Sequence, residues 1–318
     1  MWIVRQTYID KAVKFVRMHG NMEFATGGSF EDVFSVAKKY GLVPEEAYPG
    51  LNYGLDNHDH SELDAVLRAY VDAVVKPARG KKLTTAWLNG LKGILDAYFG
   101  PAPEQFTYNG RQYTPESFHD MLGLQLDDYV SISSFTHHPY YTEFVIEVPD
   151  NWIGAASWNL PLEEMMAVID NAIDTGYTIA WGADVSESGF LYRKGYAVVP
   201  AEQEETLEGT ELSRWVALSP ESRMLELLEE NGELRVTPEI RQLAYDNYET
   251  TDDHGMLITG VATDQRGDTF YRVKNSWTSN GIYDGYFYAS RPFVEYKTLN
   301  IVVHKDAIPA PIRAKIGL

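Results

Sequence analysis

The sequence predicts an α+β fold, with helices concentrated in the first half of the chain and strands in the second. In the first half, apolar residues recur at helical spacing, as in Phe30, Val33 and Ala37. In the second half, aromatic and β-branched residues dominate short runs, which is typical of strands. At 318 residues the chain is long enough for roughly two domains. We therefore predict a mainly helical lobe over residues 1–128 and a β-rich lobe over residues 129–318.

Each helix predicted in residues 1–128 is marked by a capping residue or a helix breaker. In chain order these signals are His19-Gly20, Ser29 with Asp32, Gly41, Ser61, Lys76-Pro77, Gly100 and Thr114-Pro115. Between the last two helices, Asn109-Gly110 interrupts a run of alternating apolar residues. This dipeptide is a strong signal for a tight hairpin turn.

In the second half, one helix is predicted over residues 161–176. The runs predicted as strands are 129–135, 144–148, 177–185, 196–199, 256–262, 269–275, 285–289 and 300–304. The acidic and polar stretch at 201–211 predicts an exposed insertion.

Composition excludes several classes of function. The 27 basic and 46 acidic residues leave a net charge of −19, which disfavours a nucleic-acid partner. The sequence has no apolar run of the roughly 20 residues that a membrane span needs. It also has none of the common nucleotide-binding or zinc-protease motifs, so we predict no cofactor.

Two pairs of histidines are the candidates for metal ligands, and we expect neither to bind metal. Adjacent residues of a strand point to opposite faces, so His137 and His138 should not reach the same ion. His58 and His60 have a more favourable spacing, but they lie in a polar segment that predicts a solvated loop.

The most informative pair is His254 and Asn275. His254 precedes one predicted strand and Asn275 ends the next, with a turn at residues 264–267 between the strands. Pairing of the two strands should bring the side chains close together, within a register shift of a residue or two. An asparagine oxygen that accepts an imidazole N–H fixes the ring and leaves the other nitrogen free to act as a base. Such a pair forms the base and its orienting group in a Cys-His-Asn site, and Trp277 could shield it from water.

These residues resemble motifs of the papain superfamily, and more narrowly of its bleomycin hydrolase and aminopeptidase C branch. The matching segments are Gly27-Gly28-Ser29-Phe30, residues 39–44 (KYGLVP), residues 181–185 (WGADV), residues 247–254 (NYETTDDH) and residues 273–277 (VKNSW). One departure is Thr278, because the family usually has glycine after this tryptophan. The resemblance implies a papain-like two-lobe fold and a cysteine aminopeptidase that removes N-terminal residues from peptides.

The resemblance also implies roles for individual residues. His254 would be the general base and acid, and Asn275 would orient it. Gly27, Gly28, Asp253 and Trp277 would lie at the substrate-binding positions. Residues 309–318 would form a C-terminal arm whose final carboxylate, on Leu318, binds the free amine of the substrate. Relatives in this branch form hexamers, so a homo-oligomer is an expectation from the same source.

The composition conflicts with this resemblance at one position, because the 318 residues contain no cysteine. The family's nucleophilic cysteine, and the glutamine of its oxyanion hole, precede every motif matched here. We therefore expect the chain to lack the cysteine-bearing segment and the central helix that it begins, and to be inactive alone. An apolar groove should then be exposed on the helical lobe. The compartment is left open by the same reasoning, since a preceding segment could carry an export signal.

Three interpretations follow. The first is part of a cysteine aminopeptidase, and the second is a pseudopeptidase that binds peptides without cleaving them. The third is an unrelated α+β interaction protein, which would place His254 and Asn275 far apart.

Overall fold

The computed structural model describes residues 1–76, 80, 82–201, 209–277 and 281–318, with the backbone alone at 211 and 212. The chain divides into two compact units. The first unit contains Met1–Leu126 and Glu147–Ala155, and the second contains Asp127–Ile146 and Ala156–Leu318. The boundary predicted at 128/129 lies two residues from the first of these divisions. The sequence did not predict the return of residues 147–155 to the first unit.

The first unit consists mainly of helices. These are α1 (Trp2–Arg17), α2 (Phe30–Tyr40), α3 (Ser61–Val75), α4 (Ala86–Phe99) and α5 (Pro115–Leu122), with one 3₁₀ turn at Glu45–Ala47. A hairpin of β1 (Phe106–Tyr108) and β2 (Arg111–Tyr113) turns at Asn109 and Gly110, both at positive φ. The predicted helix ends are confirmed within two residues; α1 ends at Arg17, two residues before the predicted His19. For example, α3 begins at Ser61 with His60 at its cap, one residue before the predicted start.

The second unit contains a large sheet and the helices that cover it. Its strands are β3 (Tyr129–Ser133), β4 (Glu143–Val145), β5 (Ala156–Asn159), β6 (Ile179–Ala183), β7 (Phe190–Leu191), β8 (Tyr196–Ala197), β9 (His254–Thr263), β10 (Thr269–Lys274), β11 (Tyr286–Ser290) and β12 (Thr298–His304). Its helices are α6 (Leu162–Asp174), α7 (Gly209–Ala217), α8 (Pro220–Asn231), α9 (Pro238–Asp246), α10 (Arg291–Lys297) and α11 (Ala310–Lys315). Short 3₁₀ turns lie at Leu126–Asp128, Tyr192–Lys194 and Lys305–Ala307.

The strands of the second unit form one sheet in the order β4-β5-β3-β12-β6-β9-β10-β11-β8-β7. Most neighbours are antiparallel. Two pairs are parallel, β3 with β5 and β8 with β11. Helix α6 buries Met165, Met166 and Ile169 in the core that covers this sheet. Trp181 of β6 lies in the same core, and its indole N–H donates to the Thr298 hydroxyl at 2.7 Å.

Several elements of the second unit were not predicted, among them β5 and the helices α7 to α10. The predicted insertion at 201–211 ends in α7, which begins at Gly209, and its residues 202–208 lie outside the described residues. Pro77 and Thr278 also lie outside them. Across the described parts of the chain, the helices are all too short or too polar to cross a membrane.

Candidate active site

His254 and Asn275 are in direct contact in the second unit. The Nε2 atom of His254 lies 2.8 Å from Oδ1 of Asn275, which is hydrogen-bond distance. His254 is the first residue of β9, and Asn275 follows the last residue of β10. Asn275 is only 5% exposed, and its backbone N–H donates to the carbonyl of Gly285 at 2.9 Å. The proximity predicted from the hairpin is therefore confirmed, and the interpretation that needed the two residues far apart is wrong.

A β-bulge sets the register of this hairpin. Arg272 lies opposite Gly260, but the next residue of β10, Val273, lies opposite Ile258. Thr259 is the extra residue of β9, and its hydroxyl donates to the carbonyl of Arg272 at 3.2 Å. A bulge shifts the register by one residue, and a one-residue shift moves the following side chains to the other face of the sheet.

This shift decides which face Asn275 occupies. Continued one residue past Lys274, the observed register places Asn275 opposite Met256. Met256 lies two positions after His254, so the side chains of both point to the same face of the sheet. Without the extra residue, Asn275 would lie opposite Leu257 and would point to the other face. The bulge is therefore the feature that allows the imidazole and the amide to meet diagonally.

The contact leaves one nitrogen of His254 available for chemistry. With Nε2–H donating to the Asn275 oxygen, the neutral ring carries its lone pair on Nδ1. Trp277 covers this arrangement, because its ring lies 4.7 Å from the His254 ring, centroid to centroid. The Trp277 backbone N–H also reaches the Asn275 oxygen at 3.3 Å. The Trp277 side chain remains 44% exposed, so it covers the pair from one side only.

Two aspartates fix the backbone that leads into His254. The Oδ1 atom of Asp253 accepts the N–H of Val185 at 2.8 Å, and Oδ2 of Asp184 accepts the N–H of Thr251 at 2.8 Å. These bonds run in opposite directions between the end of β6 and the segment before β9. Burial, together with the nearby Asp184 carboxylate, raises the pKa of Asp253 to about 6. Asp253 was predicted to bind substrate; in the structure its Oδ1 is used to hold the chain next to the histidine.

A buried lysine balances the charge of this cluster. Lys297, with a side chain 2% exposed, lies 3.0 Å from a carboxylate oxygen of Glu187 and 3.9 Å from Asp184. Its ammonium also donates to the carbonyl of Glu249 at 2.6 Å. Neither the position of Lys297 nor a role for Asp184 was predicted from the sequence. Asp184 lay within the recognised segment at 181–185, but no sequence pattern marks Lys297.

Gly27 and Gly28 belong to the first unit, and at both positions a side chain would collide with a neighbouring aspartate. Gly27 has a φ of +110°, and an added Cβ would lie 2.4 Å from a carboxylate oxygen of Asp150. At Gly28, an added Cβ would lie 2.1 Å from Oδ2 of Asp32. That oxygen accepts the indole N–H of Trp152 at 2.9 Å. Both glycines are exposed, and the Gly27 carbonyl accepts a hydrogen bond from the Lys11 ammonium at 3.3 Å.

The two glycines line a cavity of about 390 Å³ in the first unit. Much of its wall is apolar, including Ile3, Val4 and Val33. The apolar groove that we expected on the helical lobe therefore has a counterpart in this unit.

The segment expected to be the C-terminal arm contains helix α11. Helix α11 buries Ile312, and Ile316 follows it into the core of the second unit. The N–H of Leu318 donates to the carbonyl of Arg313 at 3.0 Å. These contacts explain the position of residues 309–318 by packing alone, and the role of the Leu318 carboxylate remains a prediction.

Both histidine pairs lie outside helices and strands. His137 and His138 lie in a bend after β3, and their ring centroids are 4.5 Å apart, so the premise that they point to opposite faces is wrong. The Nδ1 atom of His137 lies 3.1 Å from the Gln242 side-chain oxygen. In the first unit, His60 packs against Phe99 with ring centroids 5.4 Å apart, and burial lowers its pKa.

The fold, and the contact between His254 and Asn275 within it, have the form of a papain-like protein. Comparison with known proteins agrees, and the chain belongs to the Peptidase C1-like family, whose sequence profile matches residues 5–200 and 238–317. This places the chain in the aminopeptidase C branch of the papain superfamily, as the sequence motifs predicted.

Individual relatives are distant in sequence but match most of the chain. Aminopeptidase C of Streptococcus thermophilus is 25% identical over 309 residues, covering 89% of this chain and 64% of that protein. Aminopeptidase C of Lactococcus lactis subsp. cremoris is 22% identical over 325 residues, covering 94% and 67%. The chain thus spans about two thirds or slightly less of these relatives. The crystal structure of PepW from Lactobacillus rhamnosis HN001 matches with a TM-score of 0.67 at 20% identity, over 99% of this chain and 72% of that one, and supports the fold.

Proposed function

We propose that these residues carry the base and orienting half of a cysteine-type aminopeptidase site. The observation that carries the proposal is the 2.8 Å contact between His254 Nε2 and Asn275 Oδ1, with Trp277 packed against the imidazole. Relatives named as aminopeptidases align with 89–94% of the chain, which favours removal of N-terminal residues from peptides.

In this mechanism, Nδ1 of His254 takes the proton of a thiol, and the thiolate attacks the carbonyl carbon of the first peptide bond. The protonated imidazole then gives its proton to the leaving amine, and the C–N bond breaks to leave a thioester. His254 next takes a proton from water, which attacks the thioester and releases the amino acid, and the thiolate is restored. Asn275 keeps the ring in the required orientation during these transfers.

The thiol would have to come from residues outside these 318, because they contain no cysteine. The second candidate function is a pseudopeptidase that binds peptides without hydrolysing them, and the same absence of cysteine favours it. Under both hypotheses, the 318-residue chain alone should not hydrolyse fluorogenic aminoacyl substrates.

The test uses the protein as its native gene produces it, assayed on aminoacyl coumarin amides with and without iodoacetamide. Turnover that iodoacetamide blocks, and that His254→Ala abolishes, would support the aminopeptidase. Peptide binding without turnover, in a natural protein that lacks cysteine, would support the pseudopeptidase. Turnover that survives His254→Ala would overturn the role given to the histidine.

A further inference from the structure

A second cavity lies in the second unit beside Trp277. It has a volume of about 580 Å³, within the range of cavities that bind small ligands. Its lining residues are Phe190, Leu191, Tyr192, Arg193, Lys194, Glu221 and Trp277. Nothing in the mechanism above uses this cavity, although Trp277 belongs to both its wall and the cover of His254.

One side of the cavity is aromatic. The ring of Trp277 meets those of Phe190 and Tyr192 edge to face, with centroids 5.8 Å and 5.3 Å apart and interplanar angles of 86° in both cases. Edge-to-face packing holds aromatic rings in fixed positions. This wall therefore offers a preformed apolar surface for a side chain.

The other side of the cavity is cationic. Lys194 forms an ion pair with Glu221, which neutralises both groups. Arg193 is exposed, and within the described parts of the chain it forms no ion pair. On a chain of net charge −19, a guanidinium without an acidic partner among the described residues is unusual, and beside an apolar wall it offers a charge with which an anionic ligand can pair.

We propose that this cavity binds the C-terminal residue of a short peptide, with Arg193 pairing with the carboxylate and the aromatic wall holding an apolar side chain. A guanidinium presents paired N–H donors that match a carboxylate. The assignment rests on the proposed function. A ligand in this cavity contacts the tryptophan that covers His254. The preferred substrates are then short peptides with a free C-terminus and an apolar C-terminal residue.

The test measures ligand binding, so it does not require catalytic turnover. The purified 318-residue chain is titrated with N-acetyl-L-leucine and with N-acetyl-L-leucinamide, which lacks the negative charge. Binding is followed at the indole N–H resonance of Trp277, assigned with Trp277→Phe. We expect the acid to bind on the order of tenfold more tightly than the amide, as a charge-assisted hydrogen bond provides.

Arg193→Gln should remove this preference and leave the affinity for the amide unchanged. The matched control is Arg266→Gln, in the turn between β9 and β10 at the far end of the hairpin, which should retain the preference. Equal affinity for acid and amide, no response of Trp277, or full preference in Arg193→Gln would each overturn the proposal. These results do not depend on a nucleophile, so they are separable from failure of the proposed peptidase activity.

Discussion

The imidazole of His254 and the amide of Asn275 lie 2.8 Å apart although they are not opposite each other in the β9–β10 ladder. Their contact is diagonal, and it depends on the extra residue that Thr259 contributes to β9. The contact thus depends on two features. The hairpin brings the two strands together, and the bulge places both side chains on one face of the sheet. The bulge therefore decides whether the imidazole of His254 has the Asn275 oxygen as its hydrogen-bond partner.

Asn275→Ala should disturb the orientation of His254 and leave the fold intact. In the wild-type chain, neutral His254 should carry its proton on Nε2, because that atom donates to the amide oxygen. The variant should show a mixture of tautomers, measured by ¹⁵N chemical shifts of the imidazole. Under the proposed aminopeptidase function, the kcat of the native gene product should fall by about tenfold, as expected for one hydrogen bond, and by less than in His254→Ala.

The matched control for this variant is Asn52→Ala in the first unit. The side-chain N–H of Asn52 donates a hydrogen bond to the carbonyl of Tyr98. It should leave the His254 tautomer unchanged. A pure Nε2–H tautomer in Asn275→Ala would show that something other than the amide orients the ring.

Deletion of Thr259 should move Asn275 away from His254. The ladder between β6 and β9 ends at Ile258, so the deletion leaves that pairing in place. With the bulge removed, continuous register places Asn275 on the opposite face, and the imidazole loses its acceptor. The expected signature is faster solvent exchange of the His254 ring proton at unchanged secondary structure by circular dichroism. Thr259→Ala keeps the residue count and should retain slow exchange; if the deletion behaves like Thr259→Ala, the bulge does not set the register of the site.

The hairpin could be predicted from sequence because its signals are local. Strand propensity on either side of a turn at 264–267 was enough to place His254 near Asn275. The bulge could not be predicted, since Thr259 is a typical strand residue and only the pairing of β9 with β10 shows that it is extra. The argument about His137 and His138 was wrong because it treated them as adjacent residues of a strand, whereas β3 ends at Ser133 and both histidines lie in a bend.

The buried cluster of Lys297, Asp184 and Glu187 could not be predicted from the sequence either. Lys297 lies more than 100 positions from Asp184 and Glu187 in the chain, and its burial depends on packing between distant elements. Its partners are carboxylates that sequence alone would place in solvent. The C-terminal helix was not predicted because the family resemblance implied only a C-terminal arm, whereas Ile312 and Ile316 are buried in the core.

Lys297→Met should strongly destabilise the second unit. The substitution keeps an apolar stem of similar length but leaves the carboxylates of Asp184 and Glu187 without their buried cation. Breaking a buried ion pair in this way typically costs about 3–5 kcal/mol in free energy of unfolding, measurable by urea titration. Lys274→Met, on the exposed side of β10, should change the stability by less than about 0.5 kcal/mol.

The double variant Lys297→Met with Asp184→Asn separates charge from packing. If uncompensated charge causes the loss, removing the Asp184 charge should restore part of the stability, so the two effects are not additive. Additive losses would instead mean that Lys297 acts through packing of its stem.

Asp32 should make the stability of the first unit depend on pH. Burial raises the pKa of this carboxyl from 3.8 to about 6, against the opposing effect of the Trp152 and Ser29 hydrogen bonds. Because the folded-state pKa is the higher one, the contribution of Asp32 is fully present below pH 3.8 and is lost as the pH rises through 6. The free energy of unfolding should fall by about 3 kcal/mol across this range from this one group.

The measurement compares urea unfolding of the wild type and Asp32→Asn at pH 4 and pH 7.5. Asn keeps the shape of the side chain but cannot ionise, so the variant should gain stability relative to the wild type on going from the lower pH to the higher. Asp150 and Glu233, whose pKa values burial also raises, are present in both proteins and cancel in the difference. Asp120→Asn, at an exposed carboxylate, should show no such gain. A difference between wild type and Asp32→Asn that does not change with pH would mean that the carboxyl beneath Gly28 ionises at its ordinary pKa, and that burial does not control its charge.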